Sequence, residues 1–227
     1  MVPAALQRAR GHGNSVAMDY ALVLISVFAV FIPALILPGP DFVAVVRSSM
    51  THGTRAGLLT TIGVSIGLCT YATLSLLGLS AILAEYQWLT WTVRVLGGCY
   101  LAWLGIKLLR ARPQTIDLDQ EARRPAGIRA ILFGFLVALT NPKAIVLFAS
   151  VFATAVTASM PTWLMVLMIG LVTASSLVWY SCVSLFMSSG PVMRRFQRAR
   201  HWIERAAGVC FIGLGGKVLA DAGKPVS

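Results

Sequence analysis

Two short stretches carry the residue types most able to do chemistry. Pro38-Gly39-Pro40-Asp41 stands inside one long apolar run, and Thr140-Asn141-Pro142-Lys143 interrupts another about 100 residues later. Proline lacks an N–H and clashes with the preceding turn, so Pro38, Gly39, Pro40 and Pro142 should stop regular helix. A helix broken this way exposes unpaired carbonyls at the end of its first half and unpaired N–H groups at the start of its second. The N–H end attracts a carboxylate, and the carbonyl end attracts an ammonium group or a cation. One zwitterion could use both ends. Asp41 could hold an ammonium group or carry a proton. Lys143 could meet a carboxylate, or pair with Asp41 when the site is empty. Each residue also has a plainer role open to it. Asp41 suits the first turn after Pro40, Asn141 is a natural N-cap before a proline, and Lys143 could snorkel into a cavity. Tyr71, Trp179 and Tyr180 lie inside other apolar runs, where they either line a pore or pack.

The elements that must hold these residues cross a membrane. Of 227 residues, 57% are hydrophobic and only 12% charged, with a mean hydropathy of +0.79. Soluble domains carry about 25% charged residues. A span needs roughly 20 apolar residues, so the length allows about six spans joined by short loops. An acid at membrane depth must then face protein or water rather than lipid. The expected spans are residues 20–50, 56–83, 88–109, 130–156, 162–187 and 206–220, the first and fourth interrupted. The fold expected is all-α, a polytopic membrane protein of six transmembrane helices. Residues 1–17 are polar and poorly patterned. They are expected to be a disordered tail, an extension ahead of Met18, with residues 18–227 forming a single membrane domain.

The net charge is +11 and the pI about 10.3. The charge sits in short segments between apolar runs: two Lys or Arg in 47–55, six in 107–129 and five in 190–205. That is how a membrane protein marks its cytoplasmic side, and it argues against a nucleic-acid partner. Cys69, Cys99, Cys182 and Cys210 form no Cys-x-x-Cys pair and are expected to be small packing residues. His12, His52 and His201 fall in the tail or loops without ligand spacing. No metal, cofactor or enzymatic nucleophile–base pair is therefore expected.

The two halves resemble one another. An offset of 111 pairs Arg94 with Arg205, Gly97 with Gly208, Cys99 with Cys210 and Gly105 with Gly216. An offset of 102 pairs Phe31 with Phe133, Pro40 with Pro142 and Asp41 with Lys143. Three helices per half is odd, so the halves, about 18–109 and 130–220, are expected to be inverted relative to each other. In the 3+3 inverted repeats of secondary transporters, interrupted helices in matching positions point to the binding site. Gly53-x-x-x-Gly57 and Gly63-x-x-x-Gly67 read as close helix packing.

At these motifs the chain resembles the LysE/RhtB family of amino-acid exporters. The resemblance rests on Pro38-Gly39-Pro40-Asp41, the run from Gly53 to Leu58, the run from Gly97 to Gly105, and Asn141-Pro142-Lys143-Ala144. The run from Met193 to Arg198 before Trp202 and Ile203 looks like the threonine/homoserine exporter branch. The resemblance implies export of a small neutral amino acid across the bacterial cytoplasmic (inner) membrane, by proton antiport. Its implied partners are an amino acid, protons and the lipid bilayer, with room for a homo-oligomer. Export of another small solute is the alternative. The lead of 17 residues departs from the family pattern.

Overall fold

The computed structural model describes residues 4–79, 85–110, 127–149, 160–187 and 190–222. Every regular element among them is helical: α1 (Ala4–Ile36), α2 (Pro40–His52), α3 (Thr54–Thr73), α4 (Gln87–Leu109), α5 (Ile128–Thr140), α6 (Pro142–Leu147), α7 (Thr162–Cys182) and α8 (Gly190–Asp221). α3 and α7 each end in a wider π-type coil, Leu74–Leu79 and Val183–Met187. Thr54–Gly78, Trp91–Leu109 and Thr162–Phe186 are long and apolar enough to cross a membrane. Tyr20–Ile36 and Pro40–His52 are bent by 42° and form a fourth such unit if taken as one span.

Both interruptions lie where the prolines place them. α2 begins at Pro40 after an extended Gly39, and α6 begins at Pro142 after an extended Asn141. In each case proline occupies the first helical position, where its missing N–H costs no hydrogen bond. The far end of the fourth expected span lies outside the described residues.

The structure departs from the sequence reading at both ends of the chain. α1 runs back to Ala4, so most of the lead expected to be disordered is helical. No proline interrupts residues 4–17, and alanine recurs there. The basic stretch 190–205, expected as a loop, is the first half of α8. Arginine is a good helix former, and no proline follows Pro191 before Lys224. At 32 residues, α8 is roughly 48 Å long and exceeds a hydrocarbon core of about 30 Å. Two histidines move with these changes: His52 ends α2 and His201 lies within α8. Cys99, Cys182 and Cys210 are exposed on the bundle surface rather than packed in its core.

Glycines set how closely the helices approach. A Cβ at Gly63 would run into the Ile131 carbonyl, and one at Gly134 into the Thr60 carbonyl. α3 and α5 therefore touch backbone to backbone, with Gly67 against Ala138. Gly53 acts otherwise than expected. It adopts φ +83° with nothing near it, making the α2–α3 turn that a side chain would strain. α4 and α8 meet through a reciprocal set. A Cβ at Gly98 would lie 3.0 Å from the Gly215 oxygen, and one at Gly215 would lie 2.7 Å from the Gly98 oxygen. Gly105 and Gly208 oppose each other in the same way, at 2.6 and 2.9 Å. Arg94 closes this pair by donating to the Asp221 carbonyl at the end of α8 (3.1 Å).

Gly63→Val should force α3 away from α5 and destabilise the bundle by about 3 kcal/mol, the upper range for overpacking. Gly170 has nothing within 4 Å of a Cβ, so Gly170→Ala should be neutral or stabilising by up to ~1 kcal/mol. Thermal unfolding of the two variants in detergent would check the contrast.

Candidate functional site

The two breaks meet in the interior. Asp41 is the second residue of α2 and is 2% exposed; Asn141 caps α6 and is 1% exposed. The Asn141 Nδ2 donates to Asp41 Oδ2 at 2.7 Å. The Asn141 Oδ1 accepts from the Lys143 backbone N–H at 3.0 Å. Both ends of the amide are thus engaged, which holds its orientation. Asp41 Oδ1 is buried with no hydrogen-bond partner. A buried polar atom without a partner costs free energy, and such exceptions call for an explanation.

Lys143 does not use its ammonium on that carboxylate. Its Nζ donates to the Ala34 carbonyl at 2.8 Å and the Leu37 carbonyl at 3.1 Å. These are carbonyls at the end of α1, where the helix leaves its last acceptors unpaired. A cation there also complements the negative end of the helix dipole. The lysine from one break therefore caps the helix of the other. Gly39 makes room for it, since a Cβ there would sit 3.0 Å from Nζ.

The second break is capped from the opposite direction. The Tyr71 hydroxyl, on α3, donates to the Leu139 carbonyl at the end of α5 at 2.5 Å. Its ring stacks on Phe148 with centroids 5.9 Å apart and planes 17° apart. Phe148 in turn meets Phe31 at 6.0 Å. Tyr180 is 1% exposed. Trp179 is half-buried, with an indole Nε1–H that has no partner. Asp41, Asn141 and Lys143 are thus one connected group around Pro38, Gly39, Pro40 and Pro142. Tyr71 joins it through the carbonyl end of α5.

Pro40 and Pro142 remove one orphan N–H each. The amides of Asp41 and Phe42 in α2, and of Ala144 in α6, still have no carbonyl of their own helix to bond. The two breaks thus offer backbone N–H groups and a carboxylate oxygen close together. Such an arrangement can hold a small molecule bearing both a carboxylate and an ammonium group.

Sequence reasoning did not reach the partner of the Lys143 ammonium or the capping role of Tyr71. It also missed Phe196, which stacks on Phe42 with centroids 5.0 Å apart and planes 18° apart. The only signal for this last contact is that each phenylalanine sits inside a motif of its own, next to Asp41 and between arginines.

Comparison with known proteins places the chain. The model of the LysE type translocator family matches residues 32–222. The threonine efflux protein of Escherichia coli K12 is 31% identical over 197 residues, covering 86% of this chain and 96% of that protein. The threonine efflux protein of Salmonella typhi is 32% identical over 203 residues with the same coverage. The leucine efflux protein of Klebsiella pneumoniae is 27% identical over 205 residues, covering 88% and 94%. No solved structure matches. With the family model spanning both breaks and the relatives aligned over nearly their whole length, the chain belongs to the LysE family of translocators.

Proposed function

We propose that this chain is a secondary transporter that exports a small neutral amino acid, of the threonine or homoserine kind, from the cytoplasm in exchange for protons. The observation that carries the reading is the vacant, buried Oδ1 of Asp41 beside two helix N-termini. The substrate ammonium group bonds Oδ1 while Asn141 holds Oδ2. The substrate carboxylate lies against the N–H groups at the starts of α2 and α6. Lys143 adds positive charge nearby without leaving the α1 carbonyls. Protonation of Asp41 from outside weakens its hold on the ammonium group and releases the substrate. The proton then leaves on the cytoplasmic side. Tyr71, Trp179 and Tyr180 line the route next to Asp41. The names of the threonine efflux relatives favour a hydroxyl-bearing substrate, and that of the leucine efflux relative keeps another neutral amino acid as the alternative.

The reading includes a six-span bundle in the bacterial cytoplasmic membrane, one transporter domain over 18–227, and halves 18–109 and 130–220 related by inversion. Three features support the inversion. Each half contains a proline-broken helix, each has a helix ending in a π-type coil, and the α4–α8 glycine contacts are reciprocal. Reciprocity of 98 with 215 and 105 with 208 implies an offset of 110 for this helix pair, one less than the sequence match. The basic segments 47–55, 107–129 and 190–205 face the cytoplasm.

The test is a substrate screen in intact cells. Cells expressing the chain are loaded with amino acids as dipeptides, and every amino acid in the medium is followed over time. Selective appearance of threonine or homoserine, abolished by an uncoupler, is the expected result. Equal appearance in cells with and without the protein, with the protein present in the membrane, would reject amino-acid export.

A further inference from the structure

We propose that the stacked rings of Phe42 and Phe196, backed by the Ser49–Ser184 hydrogen bond over Gly57, form the cytoplasmic gate that separates Asp41 from the cell interior. Phe42 directly follows Asp41 and is fully buried, and Phe196 is 7% exposed. The stack joins α2, from the first half of the chain, to α8, from the second. A gate in an alternating-access bundle has to be a contact of this kind, made between parts that move relative to each other.

A second layer lies about 10 Å further along α2, seven residues at 1.5 Å each. The Ser49 and Ser184 hydroxyls are 2.8 Å apart. Ser184 also donates to the Thr54 carbonyl at 3.2 Å, and Thr60 donates to Ser48 at 2.9 Å. A Cβ at Gly57 would collide with both Ser49 and Ser184. The ends of α2, α3 and the coil after α7 are thus drawn together by hydroxyls. Single hydroxyl bonds are easily exchanged, and a passing zwitterion could accept from or donate to each of them.

The part of α8 that bears Phe196 lies beyond the contacts that tie this helix to α4. α4 and α8 are tied at Gly98–Gly215 and Gly105–Gly208, and α4 ends at Leu109. Residues 190–203 therefore extend beyond that tie by about 20 Å of helix. On this segment and the turn after it, Arg195, Arg198, Trp202 and Arg205 face outward, whereas Phe196 and Glu204 are buried. An outward stripe of arginine and tryptophan suits the headgroup region of a bilayer. Motion of this segment along the membrane surface would lift Phe196 from Phe42.

The direction of the gate rests on the exporter reading above, but its test needs no transport. In a protein freed of its four cysteines, Asp41→Cys becomes the reporter. A membrane-impermeant thiol reagent is applied to inside-out vesicles and separately to right-side-out vesicles. Adding Phe196→Ala should speed labelling from the cytoplasmic face about tenfold, equivalent to ~1.4 kcal/mol of closing free energy. Labelling from the other face should stay as it was, and Phe196→Tyr should behave like the parent. An unchanged cytoplasmic rate would overturn the gate, as would an equal rise from both faces. If the alanine variant is absent from the membrane, Phe196→Leu replaces it. That variant keeps apolar volume without the stacking ring, and an unchanged rate in it would equally overturn the proposal. A failed substrate screen beside a one-sided labelling change would leave the gate standing and reject only the cargo.

Discussion

Asp41→Asn should abolish efflux while the protein stays in the membrane. The substitution is nearly isosteric, and its amide oxygen can still accept from Asn141, so the break keeps its internal bond. Two properties are lost. The vacant position no longer carries negative charge for an ammonium group, and the residue can no longer take up and release a proton. A hydrogen bond to a charged group contributes about 1.5–3 kcal/mol, so substrate affinity alone should fall by ~10- to 100-fold. If export is exchange for protons at Asp41, as proposed, the variant should also fail at saturating substrate. Initial rates of export from preloaded cells, normalised to membrane-bound protein, are the readout. Wild-type rates in this variant would remove Asp41 from the mechanism and leave it as a charge complementing the start of α2. Asp41→Glu, which keeps the charge but lengthens the arm, should retain a part of the activity.

Lys143→Ala has the second large effect, and it separates two roles. The structure commits the ammonium group to the Ala34 and Leu37 carbonyls, so its removal leaves two acceptors at the end of α1 without a partner. Each unsatisfied group costs about 1–3 kcal/mol. A loss of roughly 3 kcal/mol would lower the melting temperature by about 10 °C in a chain of this size. Asp41 loses its nearby positive charge at the same time. If Lys143 also attracts the substrate carboxylate, apparent affinity falls in the protein that remains folded. Unchanged affinity with reduced thermal stability would assign Lys143 to holding the break alone. Unchanged stability would contradict the capping geometry itself. Lys143→Arg keeps the charge but cannot fit the same pocket against Gly39 without movement, and should fall between the two.

Much of this architecture is legible locally. Pro38, Gly39, Pro40 and Pro142 mark the breaks because proline acts on its own backbone and on the turn before it. The apolar lengths and the clustering of arginine reflect the partition between hydrocarbon and water, which also needs no knowledge of neighbours. Gly63 and Gly67 were readable as packing residues for the same reason, since small size is a property of the residue. Local signals compete elsewhere in the chain. Arginine-rich residues 190–205 looked like a loop by charge, yet they are helical by propensity and continue α8. Gly53 looked like one end of a packing motif, yet it serves a turn at φ +83°.

Asp41, Asn141 and Lys143 were recognisable as chemistry-bearing residues at membrane depth, and the sequence alone determined that each would sit beside a helix end. Only the tertiary structure decided which end. Asn141 bonds Asp41 100 residues away, and Lys143 crosses to the carbonyls of α1. Tyr71 closes α5, and Phe196 lies on Phe42. The choice of partner depends on how segments far apart in the chain are brought side by side by glycine contacts and shape. A free carbonyl or a buried ring accepts any suitable neighbour, and packing determines which neighbour is there.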